Sequence, residues 1–499
     1  MIAAGRTRIR SPLVVFARFF NSNVAEKCSK LVPKFEAALG AANVIVAESQ
    51  REQFSHDEGH FPFYTPDLVV RPGSTEEVAA ILRLCNEQKI PVCPSGTRTG
   101  IEGAAIPLHK GVVVDMLRMN EVLRVNEADF DCEVQPGVTR QALNTHIRDT
   151  GLFFSVDPGA DASIGGMIAT GASGTTSVRY GTMKNNVKNL EVVLADGRVI
   201  HTKGEGRRPW KSSAGYNLTE LFVGSEATLG VVTSAVVSLH ARPQAISAAV
   251  CPFPSVDKAV ETVVNLRQLA LPLSRIEFLD EHQMAASIAF SRLEMPAKPT
   301  LFLEFHGATE EEVGRQAETA KEVCESNDAL DFKWSVDADR INELWKARHT
   351  AYYAVLAQKP GARGFSTDVC VPLSRLVEVV RKAHDEMAAL RLKGAIVGHV
   401  GEGNFHCLFA CSEENVEEMR TIWRFSDRLI KHALAVGGTC TGEHGVGMGK
   451  RQYLQEEFGD VTLGLMRTLK KTLDPNGILN PGKMFPEFND SGVRIPLHE

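Results

Sequence analysis

No apolar run in the 499 residues approaches the eighteen or so needed to cross a bilayer, so a transmembrane segment is not expected. Basic residues are not in excess either. The net charge of −6 argues against a nucleic-acid partner, whose footprint would be positive. Ten cysteines are scattered without a single Cys-x-x-Cys pair, which disfavours a disulfide framework or a zinc clasp of that spacing and fits reduced thiols in an intracellular compartment. The Gly-x-Gly-x-x-Gly fingerprint is missing where a strand would run into a helix, so the Rossmann fold is rejected. Internal repeats and low-complexity tracts are absent as well. What remains, 43% hydrophobic and 23% charged, is the composition of a globular enzyme long enough for two or three domains.

Acidic residues are also missing from the beginning of the chain. Arg6, Arg8, Arg10 and Arg18 precede the first of them, Glu26, among serines and apolar residues. That composition fits a mitochondrial transit peptide over residues 1–23, with Arg18-Phe19-Phe20 before Asn21 as a processing point, and Arg18 interrupts the apolar core that a secretory signal would need. A disordered basic terminus is the plainer alternative.

From Asp67 to about Leu239 short β runs, helices and glycine turns alternate. The strand Ile90 to Cys93 feeds Pro94-Ser95-Gly96-Thr97-Arg98-Thr99-Gly100-Ile101-Glu102-Gly103, a loop whose backbone amides could hold a pyrophosphate. Residues 157–174 are almost all small, including Pro158, Gly159, Ser163, Gly165, Gly166 and Ala172, with a helix start predicted at Ser163 or Ile164. Small residues over such a span let backbone pack flat against a bulky planar ligand. Arg179-Tyr180-Gly181 and Gly224 to Val232 supply further glycine turns. Each loop alone reads equally well as a structural turn; together they point to a dinucleotide site.

A second centre lies far downstream, at His399-Val400-Gly401-Glu402-Gly403-Asn404-Phe405-His406 and Thr441-Gly442-Glu443-His444-Gly445. The first stretch reads as a hairpin turning at Glu402-Gly403, which would set His399 opposite His406 with Cβ atoms roughly 4.5–5.5 Å apart. Two facing imidazoles and the Glu443 carboxylate make a three-ligand set for a divalent cation, Zn or Mn, with coordination positions left open. His444 is then spare as a base. The alternative is a pair of satisfied structural histidines.

Past residue 240 glycine becomes sparser, and a β-α-β-β-α order through Glu325 predicts a ferredoxin-like sheet with helices on one face. Trp345, Arg348 and Tyr352 share one helical face, with His349 expected to point elsewhere. Without further information Arg348 reads as a surface arginine beside an aromatic packing face. Lys450 and Arg451 read as surface or cofactor-facing charges.

Asp67 to Val232 resembles the FAD-binding domain of the vanillyl-alcohol-oxidase superfamily. The hairpin, Thr441 to Arg451 and Leu473-Asp474-Pro475-Asn476-Gly477-Ile478-Leu479-Asn480-Pro481-Gly482-Lys483 resemble its D-lactate dehydrogenase and glycolate oxidase branch. The resemblance implies an α+β protein. Its FAD-binding domain of two subdomains (50–240) would be followed by a substrate and metal-binding cap (241–450) and a helical C-terminal segment (451–499) that returns to the FAD. It also implies a pyrophosphate on Gly96, Thr97, Gly100, Ser163, Gly165 and Gly166, with Pro158, Gly159, Ala172 and Gly181 on the same cofactor. Glu226 and Val231 would lie near the adenosine and Asn480 near the flavin. Positions 94–103 hold neither histidine nor cysteine, so the FAD should be bound non-covalently. Arg348 would hold a substrate carboxylate. Ser366 and Thr367 offer no second cation near Asp368, which leans toward a monocarboxylic D-2-hydroxy acid. Electrons would leave to a carrier such as cytochrome c or a quinone-linked protein. Glycolate, D-2-hydroxyglutarate, or a non-redox flavin protein with a structural metal are the competing implications.

Overall fold

The computed structural model describes residues 13–412 and 415–485. Residues 1–12 of the expected transit peptide and 486–499 of the expected C-terminal segment lie outside that range. Among the described residues no helix is long and apolar enough to cross a membrane.

The N-terminal half forms two lobes. In the first, Leu68–Val70, Val92–Ser95 and Val112–Asp115 pair in parallel. These runs are nearly all apolar because both faces of the sheet are covered. The helix Thr75–Gln88 packs on one of them, its N-terminus capped by Ser74, whose hydroxyl accepts from the Glu77 amide, and its end turned by Lys89 in the left-handed region. The lobe begins earlier than residue 50. Val44–Ile45 pairs antiparallel with Val69 and Val70, and Cys28, Leu31, Phe35 and Leu39 of the preceding helix are buried in the same core. The second lobe is an antiparallel sheet of Val122–Asn126, Asp131–Val134, Val231–Ser238, Val187–Val193 and Val199–His201. Together they bear out the two-subdomain expectation.

The C-terminal half is built on an eight-stranded antiparallel sheet. Its first part runs Lys333–Ser335, Ala245–Pro252, Thr300–Gly307, Leu273–Leu279 across the sheet, the ferredoxin-like order, and Gly394–Gly398, Asn404–Cys411 and Arg363–Ser366 extend it, with the short Val369–Cys370 also paired to Asn404–Cys411. The helix Glu281–Ser291, between the second and third strands of the β-α-β-β-α pattern, was not expected from the sequence.

Alternation along these strands decides what each face carries. Ile276, Phe278, Leu301, Leu303, Phe305, Ile396, Phe405, Cys407 and Phe409 are buried in one apolar core with the helices Val256–Gln268, Glu310–Ser326, Leu373–Ala389 and Val416–Ala435. The intervening positions, Arg275, Glu277, Glu304, His306 and His406, therefore point the other way, toward the FAD-binding lobes. Arg275 meets Asp157 there at 3.1 Å, and Tyr180 Oη meets His306 Nδ1 at 2.8 Å. One strand pattern thus makes a hydrophobic core on one side, and on the other a charged wall beside a second apolar cluster that includes Leu279, Phe302, Val397 and Leu408.

The C-terminal helical segment Leu454–Leu473, kinked at Gly459 where φ is 72°, carries the chain back to the first lobe. Leu479 bridges to Val92, and the Asn480 amide donates to the Val92 carbonyl at 2.7 Å.

Candidate active site

One continuous cleft runs between the lobes and the charged wall. Gly96, Thr97, Gly100, Pro158, Gly159, Ser163, Gly165, Gly166, Ala172, Glu226, Val231 and Asn480 all line it. So do Arg348, His399, His406, Glu443 and His444. Gly181 is not among the lining residues: it ends the short helix Ser177–Tyr180 with φ 77°, so its role is to turn the chain.

The cofactor end is made of backbone and small side chains. Ser163 caps the helix Ile164–Thr170, and the Thr97 hydroxyl accepts from the Ser163 amide at 3.3 Å, which ties the two glycine loops together. A Cβ on Gly165 would sit 2.6 Å from the Pro136 Cβ, so only glycine permits this approach. Ser95 Oγ and Arg98 Nη1 line the cleft and are buried without a hydrogen-bond partner among the described residues. Two donors are thus free for a phosphate. Asn480, with φ 41°, donates through Nδ2 to Ala104 O and Glu226 O. The Glu226 carboxylate is engaged within the chain itself. It accepts from the Val446 and Gly447 amides and clamps the loop that follows Glu443-His444, and burial pushes it up to about 7.

At the other end the hairpin differs from the expected one. Val397, not His399, stands opposite His406. The connection is longer than two residues because Val400–Glu402 forms a 3-10 turn closed by Gly403 at φ 86°. A slip of two leaves both imidazoles on the same face, now as diagonal neighbours. His399 Nε2 and His406 Nε2 each lie 3.1 Å from the same oxygen, Glu443 Oε1. Their outer nitrogens are held: His399 Nδ1 donates to Glu277 Oε1 at 2.7 Å and His406 Nδ1 to Thr367 O at 3.1 Å. That arrangement turns both Nε2 atoms inward on Glu443, where a divalent cation would take the place of the inner proton, the donor set and outer hydrogen bonding such an ion requires. Burial alone would raise the Glu443 carboxyl, but His399 and His406 override it and hold it well below the carboxylate range. Burial likewise opposes charge on His399, and Glu277 and Glu443 nonetheless raise it well above the ordinary histidine value.

Asp368, fully buried, organises the loop that carries Glu443 and His444. Its Oδ2 accepts from the amides of Gly442, Glu443 and His444 at 2.8–2.9 Å and from Thr441 Oγ1 at 2.7 Å. Ser173, from the small-residue loop of the FAD lobe, donates to Glu443 Oε2 at 2.5 Å. The His444 ring stacks on His406 at 4.6 Å, and burial, aided by His406, pushes it down to about 4 against the pull of Asp368. Its Nδ1 is buried without a hydrogen-bond partner among the described residues. A neutral imidazole with free hydrogen-bonding capacity can take a proton.

Arg348 reaches the cleft wall, but it is no surface residue. It is 7% exposed, and its Nε and Nη2 bind Glu277 Oε2 at 2.7 and 2.5 Å. His349, expected to point elsewhere, also lines the cleft, 3.4 Å from Asp157. Lys450 and Arg451 are buried, the first against Glu102 and the second against the Gly482 carbonyl, so both are structural cations.

Known proteins agree with this architecture. Residues 66–203 match the FAD binding domain family and residues 242–484 the C-terminal domain of FAD linked oxidases. A probable mitochondrial D-lactate dehydrogenase of Danio rerio is 46% identical over 96% of both chains. The mitochondrial D-lactate dehydrogenase (cytochrome) of Arabidopsis thaliana is 41% identical over 87% of this chain and 77% of its own. Its counterpart 1 in Saccharomyces cerevisiae is 39% identical over 92% and 80%. Among solved structures, 4-ethylphenol oxidase from Gulosibacter chungangensis superimposes with a TM-score of 0.78 at 21% identity, over 92% of this chain and 97% of that one. For p-cresol methylhydroxylase the TM-score is 0.76 at 19% identity, with the same coverage. The chain belongs to the FAD-linked oxidases of the vanillyl-alcohol-oxidase type, in the branch that includes the mitochondrial D-lactate dehydrogenases.

Proposed function

We propose that this protein is a mitochondrial FAD-dependent dehydrogenase that oxidises a D-2-hydroxy acid, D-lactate before others, to the 2-oxo acid and passes electrons to a cytochrome. The observation that carries the reading is the single cleft that joins the glycine loops to the His399, His406, Glu443 and His444 cluster. The names of the relatives, mitochondrial and three of them qualified by cytochrome, support the substrate, the compartment and the acceptor.

Bound non-covalently, FAD would supply the hydride acceptor, and a divalent ion, Zn or Mn, held by His399, His406 and Glu443 would supply positive charge beside the substrate hydroxyl. The chain's own residues do the rest. Arg348 lines the cleft and binds Glu277 through Nε and Nη2, and its remaining guanidinium nitrogen would orient the substrate carboxylate. His444, neutral and stacked on His406, takes the hydroxyl proton as the carbonyl forms. Glu277 and Thr367 fix the ring orientations of His399 and His406.

Anaerobic mixing with a panel of hydroxy acids tests the reading. Bleaching of the flavin band by D-lactate is expected. Faster bleaching by glycolate or D-2-hydroxyglutarate would move the substrate, and a spectrum unchanged by every member would favour a non-redox flavin protein.

A further inference from the structure

Glu277 lies in the middle of the strand Leu273–Leu279, 1% exposed, and belongs to none of the motifs by which the site was recognised in the sequence. Its carboxylate stands between two of the cleft's working groups. Oε1 accepts from His399 Nδ1 at 2.7 Å, and Oε2 accepts from Arg348 Nε and Nη2 at 2.7 and 2.5 Å. The other buried acids nearby are already engaged. Asp157 serves Thr175 and Arg275, Glu304 serves Arg275 and His306, and Asp368 serves the loop from Thr441 to His444.

We propose that Glu277 is a positioning residue that fixes the spacing between the cation site and the substrate carboxylate by holding His399 and Arg348 at once. The proposal rests on the dehydrogenase reading above. The physical grounds are separate for each partner. An anionic acceptor on Nδ1 fixes the His399 ring with Nε2 inward and makes that nitrogen a better donor to a cation. Docking Arg348 through Nε and Nη2 immobilises a long side chain and leaves Nη1 to meet a carboxylate in a set direction. A carboxylate can accept from both partners because each of its oxygens is an acceptor. A carboxamide of the same shape has one oxygen, so its amino group must face either Arg348, donor against donor, or His399, where it forces the tautomer that puts the proton on Nε2 and takes that nitrogen from the cation.

Glu277→Gln and Glu277→Asp separate this role from a merely structural one. Mn²⁺ is titrated into chelator-stripped, FAD-loaded protein and read by electron paramagnetic resonance, and KM and kcat for D-lactate are measured at saturating Mn²⁺. Glu277→Gln is expected to keep its FAD, to weaken Mn²⁺ binding about 10–100-fold, and to raise KM about tenfold with Mn²⁺ restored. Glu277→Asp, which keeps both acceptors, recovers part of each loss. Should Glu277→Gln lose its FAD, the Asp variant is judged by the same two measurements. Wild-type Mn²⁺ affinity or an unchanged KM in the variant that keeps FAD overturns the proposal. A wild-type flavin that no hydroxy acid reduces overturns the dehydrogenase reading instead, and with it the substrate half of this one, while the Mn²⁺ titration still decides the hold on His399.

Discussion

The FAD-binding lobes present backbone and small side chains to the cleft, Gly96, Gly100, Gly165 and Gly166 among them, whereas the facing sheet presents His399 and His406, the first held from behind by Glu277. The first wall works by what it leaves out. Its tolerance is steric, and one added methyl group is enough to spoil it. The second wall works by charges brought together out of water, and its tolerance is electrostatic, since each buried group depends on a partner from another segment.

The sharpest test of that contrast is Glu443→Ala, because His399 Nε2 and His406 Nε2 converge on one oxygen of this residue. Elemental analysis is expected to find the divalent cation gone and turnover lost while FAD stays bound; full metal content would mean the ligand set is misassigned. His444→Ala is expected to cost about 10²–10⁴-fold in turnover with FAD and metal both retained. Unchanged turnover would remove His444 from the chemistry. Gly165→Ala attacks the opposite wall. Its Cβ would crowd Pro136, so a cost of about 1–3 kcal/mol should appear as a lower Tm and lower FAD content with metal content unchanged.

The smallest expected effect is in the pH profile. A base must be unprotonated to act, and burial holds His444 near 4. Its inactive, protonated form therefore accumulates only as pH falls toward that value, so kcat stays level between pH 6 and 8. A decline centred near the ordinary histidine value of about 6.5 would contradict the burial of His444.

The same contrast explains what could be read from the chain alone. The glycine loops, the helix start at Ser163 and the strands of the cap are local patterns, and they stand where the sequence put them. The hairpin was legible as to face but not register, because a 3-10 turn at Val400–Glu402 adds length that Glu402-Gly403 does not announce. Glu277 and Ser173 were invisible. Their partners lie 122 and 270 residues away, and a lone glutamate in a strand or a serine in a small-residue loop carries no sign of such a contact. Asp368 could have been suspected, since an acid within an otherwise apolar run, Val369-Cys370-Val371 after it, needs buried donors. Arg348 was expected on a helical face, but the sequence could not show that Glu277 occupies part of its fork.

A crystal of the enzyme grown with its metal and measured at the metal's absorption edge would decide the central claim. An anomalous peak is expected about 2.0–2.2 Å from His399 Nε2, His406 Nε2 and a Glu443 oxygen, in the same cleft as the flavin. A map without a peak at that point, or with the flavin outside that cleft, would contradict it.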